Sequence, residues 1–174
     1  MLRIIGDCHG VLLEPRANGR SYNTKNPNRC YFDLIKGCDY TLQIGDLGYG
    51  KLFHILMSKV SESRHKVVLG NHDDYSKKIP HQIGDYGEYT HGNVPFAFLR
   101  GEHSIDYKQR IPGVEWWHTE QIDAKTGNEA LDFVSGKQYN LFVSHGCPSF
   151  LLDEAILITK YHGRIEPSYT CRLL

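Results

Sequence analysis

Residues 3–10 read RIIGDCHG. An apolar run passes, with no polar linker, into Gly6, a carboxylate, a cysteine, an imidazole and Gly10. In extended backbone successive side chains alternate, so Asp7 and His9 project to one side while Cys8 turns to the other. One oxygen and one imidazole nitrogen facing a single point suit a divalent transition ion. Residues that merely satisfy the backbone of a turn would not need this pairing.

The pattern recurs along the chain. Short apolar runs at Leu2 to Ile5, Tyr40 to Ile44, Lys66 to Leu69, Phe96 to Leu99 and Leu141 to Val143 read as buried strands. Between the first two, Asn26 can cap a helix with Pro27 at its first turn and Gly37 past its end, its apolar face being Tyr31, Leu34 and Ile35. Leu52, Phe53, Ile55, Leu56 and Val60 fit a second helical period. Strand, helix, strand, helix, strand predicts an α/β domain with right-handed crossovers, one domain over residues 1–174. Residues 73–95, rich in Tyr, Gly, Asp and His, read as surface loops. Residues 101–130, with Trp116 and Trp117 among charges, read as an insertion or flap.

Four of the predicted strands end in chemistry-bearing residues: GDCHG after Ile5, GDLG at 45–48, GNHD at 70–73 and SHG at 144–146. The carboxyl ends of strands in an open α/β sheet meet at one crevice, so these groups can converge despite their separation in the chain. Asp46 has two oxygens with which to bridge two ions, Asn71 a neutral amide oxygen and His145 a second imidazole. Two ions about 3.5–4 Å apart polarise a phosphoryl group and generate hydroxide near neutral pH. His72, next to Asn71, is then placed as the general acid for a leaving oxygen.

The rest of the composition narrows the class. Lys plus Arg and Asp plus Glu are both 20, and no basic cluster marks an electrostatic footprint, which argues against strong nonspecific nucleic-acid binding. Five cysteines at 8, 30, 38, 147 and 171 show no CxxC spacing and predict a reducing, cytoplasmic setting. No apolar run approaches a membrane span, and no leader pattern opens the chain, so a soluble, untargeted protein is expected. Ten histidines, scattered rather than clustered as a tag, hint at metal chemistry.

Taken in order, GDCHG, GDLG, GNHD and SHG resemble the motifs of the calcineurin-like metallophosphoesterase superfamily. GNVPFAFLRGEHSID and VEWWHTEQI are similar to its small bacterial and phage branch, so the resemblance runs from about residue 2 to 174. It implies a metallophosphoesterase-like β-sandwich flanked by helices, in αββα layers. It also implies hydrolysis of phosphomonoesters or phosphodiesters, nucleotides among them, by a two-metal bridging hydroxide. Asp7 and His9 would hold the first metal, Asp46 would bridge, Asn71 and His145 would hold the second, and His72 would be the proton donor. Mn²⁺ is the preferred ion, with Fe, Zn or Ni next, because mixed Asp, His and Asn ligation does not select sharply among them.

Two departures accompany the resemblance. Leu47, Gly48 and Tyr49 follow Asp46 where many members continue GDxxD, so the carboxylate partner of His72 is open between Asp73 and Asp74. The GHxH motif that closes the family's site does not occur in the 174 residues. The resemblance therefore leaves three routes: a truncated product lacking C-terminal strands, substitution by another histidine (His103, His118 or His162), or completion by a second chain in a homodimer. A metal-binding or phosphate-binding relic, or an interaction module of the same fold, is the alternative to the enzyme. Arg100 is a candidate clamp for substrate phosphate, Cys8 a small buried filler, Cys147 a turn residue, and the two tryptophans packing residues or a stacking platform.

Overall fold

The computed structural model describes residues 1–6, 8, 31–47, 57, 58, 60–104 and 106–149. Asp7, His9, Asn26, Pro27, most of the second predicted helix, His162 and the tail from Ile165 to Leu174 lie outside the described residues. Mixed α/β content is as expected. Strands β1 (Leu2–Ile5), β2 (Tyr40–Ile44) and β3 (His65–Val68) form one parallel sheet in that order, with Leu2 opposite Tyr40 and Thr41 opposite His65. Helix α1 (Tyr31–Ile35) lies between β1 and β2 in the chain, and Gly37 follows it at φ 76°, the left-handed stop that glycine accepts most readily.

A second sheet holds β4 (Tyr86–His91), β5 (Val94–Leu99) and β6 (Phe142–Ser144) in that order, β4 antiparallel and β6 parallel to β5. Strand β4 corrects the expectation of surface loops over 73–95. Its signal was Gly92-Asn93 between two strand-forming runs: Gly92 has φ 63° and His91 pairs with Val94, so the two residues make a tight hairpin. The flap expected over 101–130 is likewise shorter than predicted, because helix α2 (Ala124–Val134) begins within it. Asp123 caps that helix by accepting the Thr126 N–H at 2.7 Å, and Gly136 sits beyond its end at φ 73°.

Alternation on the strands sorts the side chains into layers. Val67 packs with Ile5, Leu47, Leu69 and Tyr31 of α1, whereas its neighbour Val68 packs with Leu42, Phe96, Phe98 and Val143 from both sheets. Leu99, one residue past Phe98, instead meets Ile122 and Ala130 beside α2. Each fully buried side chain of this kind contributes about 1.5–3 kcal/mol, against about 0–1 kcal/mol for a surface ion pair. The apolar clusters, not the charges, hold the two sheets together.

Polar groups are enclosed among them, His65 with the clearest pH consequence. His65 is fully buried, with Nδ1 2.7 Å from Thr41 Oγ1 and Nε2 2.9 Å from the Tyr31 hydroxyl. Burial, with His81, His91 and Lys66 nearby, pulls its imidazole down to about 3. An unfolded histidine takes up its proton near pH 6.5, so the stability His65 contributes is complete above that pH and is lost as pH falls. The expected loss at pH 5 relative to pH 7.5 is about 2 kcal/mol. Asp73, whose burial pushes its carboxyl up to about 6, acts with the opposite sign as pH falls through that value. The difference between the wild type and His65→Gln in urea titrations at the two pH values therefore isolates the histidine. A difference independent of pH would contradict the assignment.

Candidate metal centre

Asp46, Asn71 and His145 follow strands β2, β3 and β6, and they meet. His145 Nε2 is 3.2 Å from Asp46 Oδ1 and 3.0 Å from Asn71 Oδ1. The three do not come from one open sheet: β6 belongs to the second sheet, so the crevice opens where the ends of both sheets adjoin.

The backbone makes room for this approach. Gly45 and Asp46 both take positive φ, 79° and 54°, which aspartate tolerates better than most residues with a β-carbon. The turn is secured by Asp73, 2% exposed, whose carboxylate accepts the N–H groups of Gly70 at 2.8 Å, Asp46 at 3.0 Å and Leu47 at 2.8 Å. A β-carbon on Gly70 would stand 2.6 Å from Asp46 Oδ1 and 2.8 Å from His145 Cδ2, so only glycine leaves the cradle open. Asp73 is thus a site residue of a different kind from the partner for His72 considered above: it ties the β2 and β3 turns together. Asp74 accepts the Ser76 N–H at 2.9 Å and faces Lys77 at 3.5 Å.

Hydrogen bonding fixes what each group presents. His145 Nδ1 faces the Ile44 carbonyl at 3.0 Å; a carbonyl only accepts, so Nδ1 carries the proton and Nε2 of the neutral ring presents a lone pair. Asn71 Nδ2 donates to Ser104 Oγ at 3.1 Å, and Ser104 passes its own proton to Glu120 Oε2 at 2.9 Å. That chain turns the Asn71 amide oxygen toward His145. Glu120, 1% exposed, also accepts the Ser104 N–H at 2.6 Å, and burial raises its carboxyl.

With the ring neutral in this tautomer, His145 Nε2, Asp46 Oδ1 and Asn71 Oδ1 are all acceptors and no proton lies between them. A cation in their midst, or failing that a second proton on His145, relieves the repulsion. Separations of 3.0 and 3.2 Å are those of neighbouring ligands set at right angles on an ion with bonds of about 2.1 Å. A histidine that donates its other N–H to a backbone carbonyl is the usual arrangement of a metal ligand. The residues fit a divalent ion. Among the described residues no three His, Cys, Asp or Glu side chains gather as a metal-holding group, the third donor here being an amide. Asp7 and His9 lie outside the described residues, but Cys8 between them is 3% exposed, with Sγ 3.6 Å from Gln43 Oε1, as the alternation predicts.

His72 borders the cluster. Its backbone N–H donates to Asp46 Oδ1 at 3.0 Å, and its ring Nε2 is 4.0 Å from Asp46 Oδ2. Arg110, from the loop after the 3₁₀ turn Tyr107–Gln109, lies against the ring with Nη1 2.9 Å from Nδ1 and Nη2 2.6 Å from Nε2. Sequence reading chose the other arginine. Arg100 is 8% exposed and committed to Asp85 at 2.5 Å and the Thr119 carbonyl at 2.6 Å, which removes it as a phosphate clamp. Nothing in the residues around Arg110 signals its role, because only the path of the 101–120 loop brings it back to the GNHD turn. His103 stands 3.8 Å from Glu120, and His118 packs on Trp116 with ring centroids 4.3 Å apart, so neither joins the three donors.

No family model matches the chain, and no curated protein or solved structure matches it. Among the described residues no helix is long and apolar enough to cross a membrane.

Proposed function

We propose that this chain is a metal-dependent phosphoesterase of the calcineurin-like kind, and that its two sheets with their outer helices are the family's αββα sandwich. The observation that carries the reading is the convergence of His145 Nε2 with the Asp46 and Asn71 oxygens, 3.2 and 3.0 Å away, at strand ends. These three residues would hold a divalent ion, Mn²⁺ by preference, with Asp7 and His9 as further ligands. When bound, the ion supplies positive charge to the phosphoryl oxygens and a water more acidic than bulk.

The chain's own part is position and proton traffic. Hydrolysis adds a water oxygen to phosphorus and breaks the bond to the ester oxygen, which must leave with a proton. His72, half-buried with Nε2 4.0 Å from Asp46 Oδ2, is the residue placed to give it once its ring exchanges the Arg110 guanidinium, 2.6 Å from Nε2, for the leaving oxygen. Water supplies the balance, so the products are an alcohol and phosphate, or a phosphomonoester from a diester.

Leaving-group dependence tests the proton donor. With Mn²⁺ present, His72→Ala is expected to slow hydrolysis of phenyl phosphate about 100-fold. For p-nitrophenyl phosphate, whose leaving oxygen needs little help, the loss is expected to be several times smaller. Equal losses on both esters would remove His72 from proton donation. Tight Mn²⁺ binding without turnover of any ester would place the chain in the alternative class of metal-binding relics.

A further inference from the structure

We infer that Arg110 is the group that grips the substrate's phosphate and makes this site prefer phosphomonoesters to phosphodiesters, an inference that rests on the phosphoesterase reading above. The 101–120 loop carries a guanidinium to the edge of the metal centre and holds it there. Arg110 is 11% exposed in its side chain, Asp106 anchors Nη2 at 2.7 Å, and the Glu115 carbonyl lies 3.4 Å from Nη1. Against the upward push of burial, Arg110 keeps the Asp106 carboxyl below its usual range. The fork also contacts His72, at 2.6 and 2.9 Å, and His72 Nε2 is in turn 4.0 Å from Asp46. One imidazole therefore separates the guanidinium from the acceptor cluster.

The chemistry of the two ester classes differs at that place. During displacement phosphorus has three equatorial substituents. Two oxygens facing the Asp46, Asn71 and His145 side leave the third directed toward the loop. In a monoester that third substituent is a charged oxygen, to which the guanidinium donates by turning an Nη–H from His72 to the phosphate while Asp106 keeps its hold. In a diester it is an esterified oxygen carrying an organic group, which offers no charge and crowds the fork. A dianion also gains more from the fixed cation than a monoanion does.

The test compares wild type, Arg110→Gln and Arg110→Lys on p-nitrophenyl phosphate and bis-p-nitrophenyl phosphate with Mn²⁺. Thermal melts with and without inorganic phosphate run alongside. The ratio of monoester to diester kcat/KM is expected to fall about 30-fold in Arg110→Gln and less in Arg110→Lys, with loss of the stabilisation by phosphate. The ratio is indifferent to a general loss of folded enzyme. An unchanged ratio, whether both activities fall together or neither does, overturns the assignment of Arg110. Failure of the wild type to hydrolyse either ester overturns the phosphoesterase reading instead.

Discussion

Asp46→Asn is expected to lower Mn²⁺-supported hydrolysis of a phosphomonoester about 1,000-fold while leaving unfolding stability within about 1 kcal/mol of the wild type. The substitution separates charge from architecture. Asparagine still accepts the His72 N–H and still tolerates the left-handed conformation seen at φ 54°. The negative charge facing His145 at 3.2 Å is lost. A bound ion contributes several kcal/mol of charge stabilisation in the transition state, and about 4 kcal/mol corresponds to three powers of ten in rate. Steady-state kinetics with parallel urea denaturation measures both quantities. Turnover within tenfold of wild type would mean that Asp46 serves the turn rather than the chemistry.

Gly70→Ala is the second large effect. Its new β-carbon would meet Asp46 Oδ1 at 2.6 Å, the Asp46 backbone nitrogen at 2.8 Å and His145 Cδ2 at 2.8 Å. None of these can yield freely, since Asp73 holds the Asp46 N–H and the Ile44 carbonyl holds the His145 ring. Overpacking of this kind costs about 1–3 kcal/mol of stability. The forced shift of ligands by up to about 1 Å is expected to cost about 100-fold in turnover as well. Urea midpoints and kcat, measured together, check the pair of losses; an alanine accepted with unchanged turnover would show that the cradle is looser than its contacts imply.

Strand ends were legible in the sequence because an apolar run that stops at Gly-Asp or Gly-Asn carries its own punctuation. Asp46, Asn71, His72 and His145 were found that way, and three of them meet as expected. What was not legible depended on long-range packing. Strand β4 is half-exposed and glycine-interrupted, so its apolar period is faint and only the Gly92-Asn93 hairpin announces it. Helix α2 has Gly127, Ala130, Leu131 and Val134 at helical spacing, and with its Asp123 cap and Gly136 stop it was there to be read. Asp73 looked like a partner for His72 by adjacency; its actual bonds run to backbone on two strands. Arg100 alone was picked out as a phosphate clamp, and only the course of the loop puts it in the core and Arg110 against His72.

The central claim is that Asp46, Asn71 and His145 hold a divalent ion. Equilibrium dialysis of the intact chain against Mn²⁺, wild type beside Asp46→Asn, tests it without reference to any substrate. At least one Mn²⁺ bound per wild-type chain, with affinity at least about 100-fold weaker in the variant, is the expected result. No bound Mn²⁺ in the wild type, or the same affinity in both proteins, would contradict it.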